Sequence, residues 1–252
     1  MKTNRVSNKE NYYLKFYQTI DEKANEIAKK ISKNENVTSD ILQFINEIYN
    51  EVASYKEHFR DDDKFESAYH EPITSYLEFF IARILYHLSI IKQLNWKIYL
   101  RRQVGKKPNR VAPDIRIEKN GKTIAIIEIK AKVGWLQGMF SEQRFKKYEE
   151  KSQKRIDEFR HTLEKYKNLF NIDYSQIFLL VPSLREAHKK IHNESFEDHI
   201  NWTSKTTGLS KENIIVLSKN LELELEEKEV DQNELSPTNY FENMIKKLER
   251  LQ

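Results

Sequence analysis

The chain has 252 residues, of which 33% are charged and 12% aromatic, with a formal net charge of +4. This length suits one large domain, or one domain with an appendage, and thirteen Phe, thirteen Tyr and three Trp are enough to build a core, which excludes a disordered chain. The mildly basic balance, with a pI near 8.9, permits nucleic-acid binding without requiring it, and the lack of cysteine excludes disulfides, zinc–cysteine sites and thiol catalysis.

Residues 9–60 read as helical. Ile20, Ala24, Ile27 and Ile31 form one stripe at helical spacing, and Thr38-Ser-Asp40 is an N-cap region for a second helix carrying Ile41, Phe44, Ile45, Ile48 and Val52. A third helix is expected from Pro72, through Leu77, Phe80, Ile81, Ile84, Leu85, Leu88 and Ile91. It is the most apolar helix of the chain and therefore central. Strands are expected over 96–104, 112–118 and 123–131, and a basic loop, Lys106-Lys-Pro-Asn-Arg110, follows the first of them. A long charged helix spans 141–169, and Ile177-Phe-Leu-Leu-Val181 reads as a buried strand. A helix over 183–200, a strand over 213–217 and a terminal helix over 237–251 complete the chain, with 221–230 open to either strand or helix. This order predicts an α/β (α+β mixed) fold: a central mixed sheet flanked by helices, with an N-terminal helical extension. The expected divisions are 1–65, 66–235 and 236–252. No apolar run approaches the roughly 20 residues of a membrane span. The segment Tyr12 to Tyr17 is too short, and too interrupted by Lys15, to be a signal-peptide core. The expectation is a cytoplasmic protein with no membrane partner.

Chemistry concentrates in the stretch from Val111 to Lys130, where two apolar runs flank Asn120-Gly121. The first run opens with Pro113-Asp114 and the second ends Glu128-Ile129-Lys130. Two carboxylates and a lysine on neighbouring strands can bind a divalent metal and activate a water. Glu128 also interrupts an otherwise apolar strand, and buried charges are costly unless used or paired. Alternation puts Asp114, Arg116 and Glu118 on one face of their strand and Glu128, Lys130 and Lys132 on one face of the next. A plain two-residue Asn120-Gly121 turn would pair Asp114 with Ile127 and put the two carboxylates on opposite faces. A bulge, or a three-residue loop, is therefore required for a shared site.

At these residues the sequence resembles the PD-(D/E)xK nuclease superfamily, with its restriction-endonuclease-like fold. Pro113-Asp114 matches the first half of the motif and Glu128-Ile129-Lys130 the second, with thirteen residues between Asp114 and Glu128. The order of elements from about 72 to 217 fits the family as well. The resemblance implies that Asp114 and Glu128 bind Mg2+, with Mn2+ able to substitute, and that Lys130 positions or deprotonates the attacking water. It also implies a helix glutamate at the site. Glu78 is the candidate and Glu71 the runner-up. One branch of the superfamily adds a glutamine and a tyrosine from the helix after the motif, for which Gln143 and Tyr148 are at the wrong spacing.

The basic residues Arg101, Arg102, Lys106, Lys107 and Arg110, together with Lys132 and Gln143, are candidates for DNA contact. The segment Asn201-Trp-Thr-Ser-Lys-Thr-Thr-Gly208 could read base edges, or could equally be a capped loop before a helix. The seven histidines, His58, His70, His87, His161, His188, His192 and His199, show no metal-ligand spacing. The resulting expectation is a Mg2+-dependent deoxyribonuclease of the type II restriction class, acting as a homodimer on double-stranded DNA without an organic cofactor. A structure-specific or nonspecific repair or defence nuclease is one alternative, and a non-catalytic DNA-binding protein of the same fold is the other.

Overall fold

The computed structural model describes residues 3–60, 73–131, 146–184, 195–221, 223 and 230–251. It is a mixed α/β structure with one five-stranded sheet and, among the described residues, six α-helices. Helices α1 (Thr3–Ser32), α2 (Thr38–Arg60) and α3 (Ile73–Ile91) precede strand β1 (Trp96–Leu100). Strands β2 (Ile115–Lys119) and β3 (Lys122–Ile129) form the hairpin, followed by α4 (Lys146–Phe170), β4 (Ile177–Ser183), α5 (Phe196–Thr207), β5 (Ile214–Ser218) and α6 (Tyr240–Arg250).

The sheet order is β1-β2-β3-β4-β5. The first three strands are an antiparallel meander, and β4 and β5 continue it in parallel. A loop joins β1 to β2 and a tight turn joins β2 to β3, whereas the parallel strands follow helical crossovers, because a parallel pair needs a long connection and a hairpin does not. Each face has its own core. Ile115, Ile117, Ala125, Ile127, Ile129, Phe178, Leu180, Ile215 and Leu217 pack against α1, α2, α3 and α6. On the other face, Ile126, Ile177, Leu179, Val181, Ile214 and Val216 pack against α4 and α5. The helices anticipated within 1–65 and 236–252 thus share one apolar core with the sheet. The stripe Ile20, Ala24, Ile27, Ile31 is wholly buried in it. α1 is also tied to α3 by Asp21, which accepts hydrogen bonds from Arg83 and is paired with His87 at 2.7 Å.

Two expectations fail in detail. No helix starts at 183: Ser183 closes β4, and α5 begins at Phe196. Its start is fixed by Ser195, whose side chain accepts from the Asp198 backbone while Asp198 bonds back to the Ser195 backbone, a reciprocal cap. Its end is fixed by Gly208 in the left-handed region at φ 80°, where a side chain would be strained. Residues 201–207 are therefore the second half of a helix, and not a reading loop or a loop before one. The expected strand 96–104 stops at Leu100, since Arg101 takes φ 46°, and Val104 makes only an isolated bridge to Val111. No helix of the described residues is long and apolar enough to cross a membrane.

Candidate active site

The hairpin meets the register condition through a bulge. Asn120 and Gly121 both have positive φ, 53° and 77°, the conformation of a tight two-residue turn that matches strand twist. Lys119 pairs with Lys122 and Glu118 with Thr123, but Ile117 pairs with Ala125, so Ile124 is the extra residue. The register then runs on as Arg116 with Ile126 and Ile115 with Ile127. One more step sets Asp114 opposite Glu128. At the bulge, Gln176 Nε2, from just before β4, donates to the Ile124 carbonyl oxygen at 2.9 Å, so that carbonyl has a partner.

With the faces aligned, the two carboxylates interlock. Ile129 N donates to Asp114 Oδ2 at 2.8 Å, and Asp114 N lies 3.4 Å from Glu128 Oε1. The Lys130 ammonium sits between them, 3.2 Å from Asp114 Oδ2, 2.9 Å from Glu128 Oε2 and 3.2 Å from the Ile129 carbonyl oxygen. Three oxygens thus converge on one cationic point. Carboxylate and carbonyl oxygens are the donors Mg2+ and Mn2+ prefer, so the set fits a small divalent ion in place of the ammonium. Among the described residues no group of three acidic or histidine side chains gathers for a metal. The cradle consists of two carboxylates and a backbone carbonyl.

The electrostatics are those of charges held in a poorly solvated place. Burial, and then the neighbouring Asp114, push the Glu128 carboxyl above its ordinary value, against the pull of Lys130 and Tyr166. Burial works against the Lys130 charge, but Glu128 and Asp114 outweigh it and hold its pKa above that of an ordinary lysine. Lys130 therefore keeps its proton.

The resemblance does not point to Tyr166. It lies on α4, is buried, and donates its hydroxyl to Glu128 Oε1 at 2.6 Å. Its sequence signal is its place on the apolar stripe Ile156, Phe159, Leu163, since a buried tyrosine hydroxyl needs a polar partner. Replacing Tyr166 by Phe leaves a buried carboxylate oxygen short of its best donor. The expected loss is roughly 2 kcal/mol, seen as a fall of about 5 °C in thermal midpoint at neutral pH. The loss should shrink on acidification, where a protonated Glu128 no longer needs the donor.

Glu78 lies buried on α3 and does not join the carboxylate pair. Both of its oxygens are taken by Arg101: Nη2 donates to Oε1 at 2.7 Å and Nε to Oε2. Burial, and more weakly Asp114, raise the Glu78 pKa, while Arg101 opposes the rise. Arg101, expected among the DNA contacts, is thus an ion-pair partner of the expected third ligand.

Arg102 stacks 4.9 Å from the Tyr99 ring, and Lys106, Lys107 and Arg110 are exposed on the loop between β1 and β2. Gly105 shapes this loop. At φ 89°, an added Cβ would come within 2.8 Å of the Asn109 carbonyl oxygen. Arg116, on the site's face of β2, is buried with its guanidinium 4.2 Å from Tyr99 and 5.1 Å from Phe170, and it bonds to Glu118. Its role there is packing. Lys132, Gln143 and Glu71 lie outside the described residues, as does the side chain of Tyr148. Of the histidines, His87 pairs with Asp21, and His199 is buried beside Trp202. Neither faces the carboxylates.

No protein-family model, no curated protein and no solved structure matches the chain.

Proposed function

We propose that the chain is a divalent-metal-dependent endonuclease of the PD-(D/E)xK class, hydrolysing phosphodiester bonds in double-stranded DNA. One observation carries the reading: Asp114, just before β2, and Glu128, near the end of β3, converge on the Lys130 ammonium at the end of the hairpin. The meander followed by two parallel strands, with α3 ahead of it and α4 across the face, is the element order the resemblance implies.

In this reading Asp114 and Glu128 would hold Mg2+ or Mn2+, which would lower the pKa of a water and polarise the phosphate. Ile129 N and Tyr166 fix the two carboxylates in orientation. The Lys130 ammonium would offer its charge to the phosphate oxygens as a water oxygen, giving up a proton to solvent, attacks phosphorus and the P–O bond to the leaving sugar oxygen breaks, that oxygen taking a proton from solvent. The exposed cations of the loop 101–110 lie just before Asp114 in the chain and supply backbone contacts.

Incubation of plasmid DNA with the protein and Mg2+ or Mn2+ tests the proposal. Discrete fragments support type II restriction cleavage, for which a homodimer on a palindromic site is the natural arrangement. Diffuse or junction-limited cutting identifies a structure-specific or nonspecific nuclease instead. No cutting with either metal overturns the enzyme reading and leaves a DNA-binding protein.

A further inference from the structure

We infer that Arg101 is a latch on the site: it withholds Glu78 from the metal in the free protein and surrenders it to a nucleic-acid phosphate. This rests on the metal-site reading above. Glu78 is buried, and its partner Arg101 donates its backbone N–H to the Asp114 carbonyl at 3.0 Å, which sets the ion pair beside the carboxylates. Glu78 is nevertheless engaged, because the Arg101 fork bonds to both of its oxygens, while Arg101 Nη1 also donates to Ser75 Oγ at 2.8 Å. A carboxylate turned toward a bidentate arginine already has its charge and one lone pair of each oxygen engaged, so a cation must compete with the guanidinium for it.

The two partners differ in freedom. The Glu78 side chain is 3% exposed and the Arg101 side chain 44%, so the arginine is the one that can leave. Its backbone stays where it is: Arg101 N donates to the Asp114 carbonyl at 3.0 Å, which holds the residue in the left-handed region at φ 46°. A departing guanidinium thus remains tethered beside Asp114, within reach of a phosphate at the site. Arginine forks bind phosphate as they bind carboxylate. Phosphate and Glu78 therefore compete for one guanidinium, and by linkage each should weaken the other's hold. The consequence is a site that completes its acidic ligand set only when a backbone arrives, so metal and DNA bind cooperatively.

Two measurements, neither of them of cleavage, test this. The first is Mn2+ affinity without nucleic acid, by calorimetry. Arg101→Met should bind Mn2+ more tightly than the parent by about tenfold or more, and the gain should vanish in Glu78→Gln/Arg101→Met. The second is binding of a short DNA duplex in chelator. Glu78→Gln should tighten it by removing the carboxylate charge that competes with phosphate for Arg101, and the double variant should not. If Arg101→Met does not fold, Arg101→Lys carries the same comparison, since an ammonium lacks the planar fork. Unchanged or weaker Mn2+ binding in the arginine variant, with Asp114→Asn abolishing binding in the parent, overturns the latch and leaves the metal site standing. No Mn2+ binding in any of these proteins overturns the metal site, and the latch with it.

Discussion

Asp114→Asn and Glu128→Gln should each lower DNA cleavage by about a thousandfold or more, while thermal unfolding shows an intact fold. Both substitutions keep shape and remove charge. The amide introduced by Asp114→Asn would still present an oxygen to Ile129 N. That introduced by Glu128→Gln would still present one to the Tyr166 hydroxyl, so the contacts that hold the hairpin end survive. A hard cation, by contrast, loses half of its anionic donors. Glu128→Gln carries a sharper signature. Burial already disfavours the charged form of Glu128 in the folded protein, so removing the charge should leave the thermal midpoint unchanged or raise it at pH 8. A dead enzyme that is at least as stable as its parent separates catalytic from structural roles. Retention of a tenth or more of the activity in either variant sinks the assignment.

Lys130→Met should lose both activity and stability. The ammonium is the common partner of Asp114 and Glu128, and without it two carboxylates face each other in a poorly hydrated place. Breaking a buried pair costs about 3–5 kcal/mol. Lys130 is partly exposed, so roughly 2–3 kcal/mol is the better expectation after solvent screening. The pH dependence follows from sign. A glutamate whose folded pKa lies above its ordinary 4.5 binds protons more readily folded than unfolded. Its penalty is absent below that ordinary value and grows as pH rises through the folded one. Denaturant titrations should therefore show the Lys130→Met deficit closing as pH falls toward 4.5. Mg2+ should also stabilise this variant more than the parent, because the ion no longer competes with an internal cation. Equal stabilisation of the two proteins would refute the shared cradle.

How far the sequence can be read varies by element. The apolar stripes of α1, α2 and α3 and the strand Ile177 to Val181 are plain, because periodicity and burial are local signals. The carboxylate pair is plain too, and strand alternation alone shows that the hairpin needs an irregularity. It does not show that Ile124 is the extra residue. The Ile124 carbonyl is met there by Gln176, more than fifty positions away in sequence, a contact that local pattern does not announce. The reciprocal cap at Ser195 and Asp198 is legible in the sequence, yet the expectation of a helix from 183 passes over it. Tyr166 reads as one more apolar-stripe residue because its partner is on another element. The pairing of Glu78 with Arg101 joins α3 to a left-handed residue after β1, and no pattern of spacing announces it.

The single core beneath the sheet bears on how such a chain could change by exchange of segments. Ile20, Ile41, Phe80, Ile127 and Phe241, from four helices and a strand, meet in one apolar cluster. The first sixty residues therefore cannot be traded as a detachable recognition or dimerisation module in the way linker-joined domains can. A graft at the α2–α3 junction would have to bring matching surfaces on α3 and α6 with it. The exposed loop before Asp114 contributes little to that cluster, so substitutions there would act on the site it borders and spare the packing of the helices.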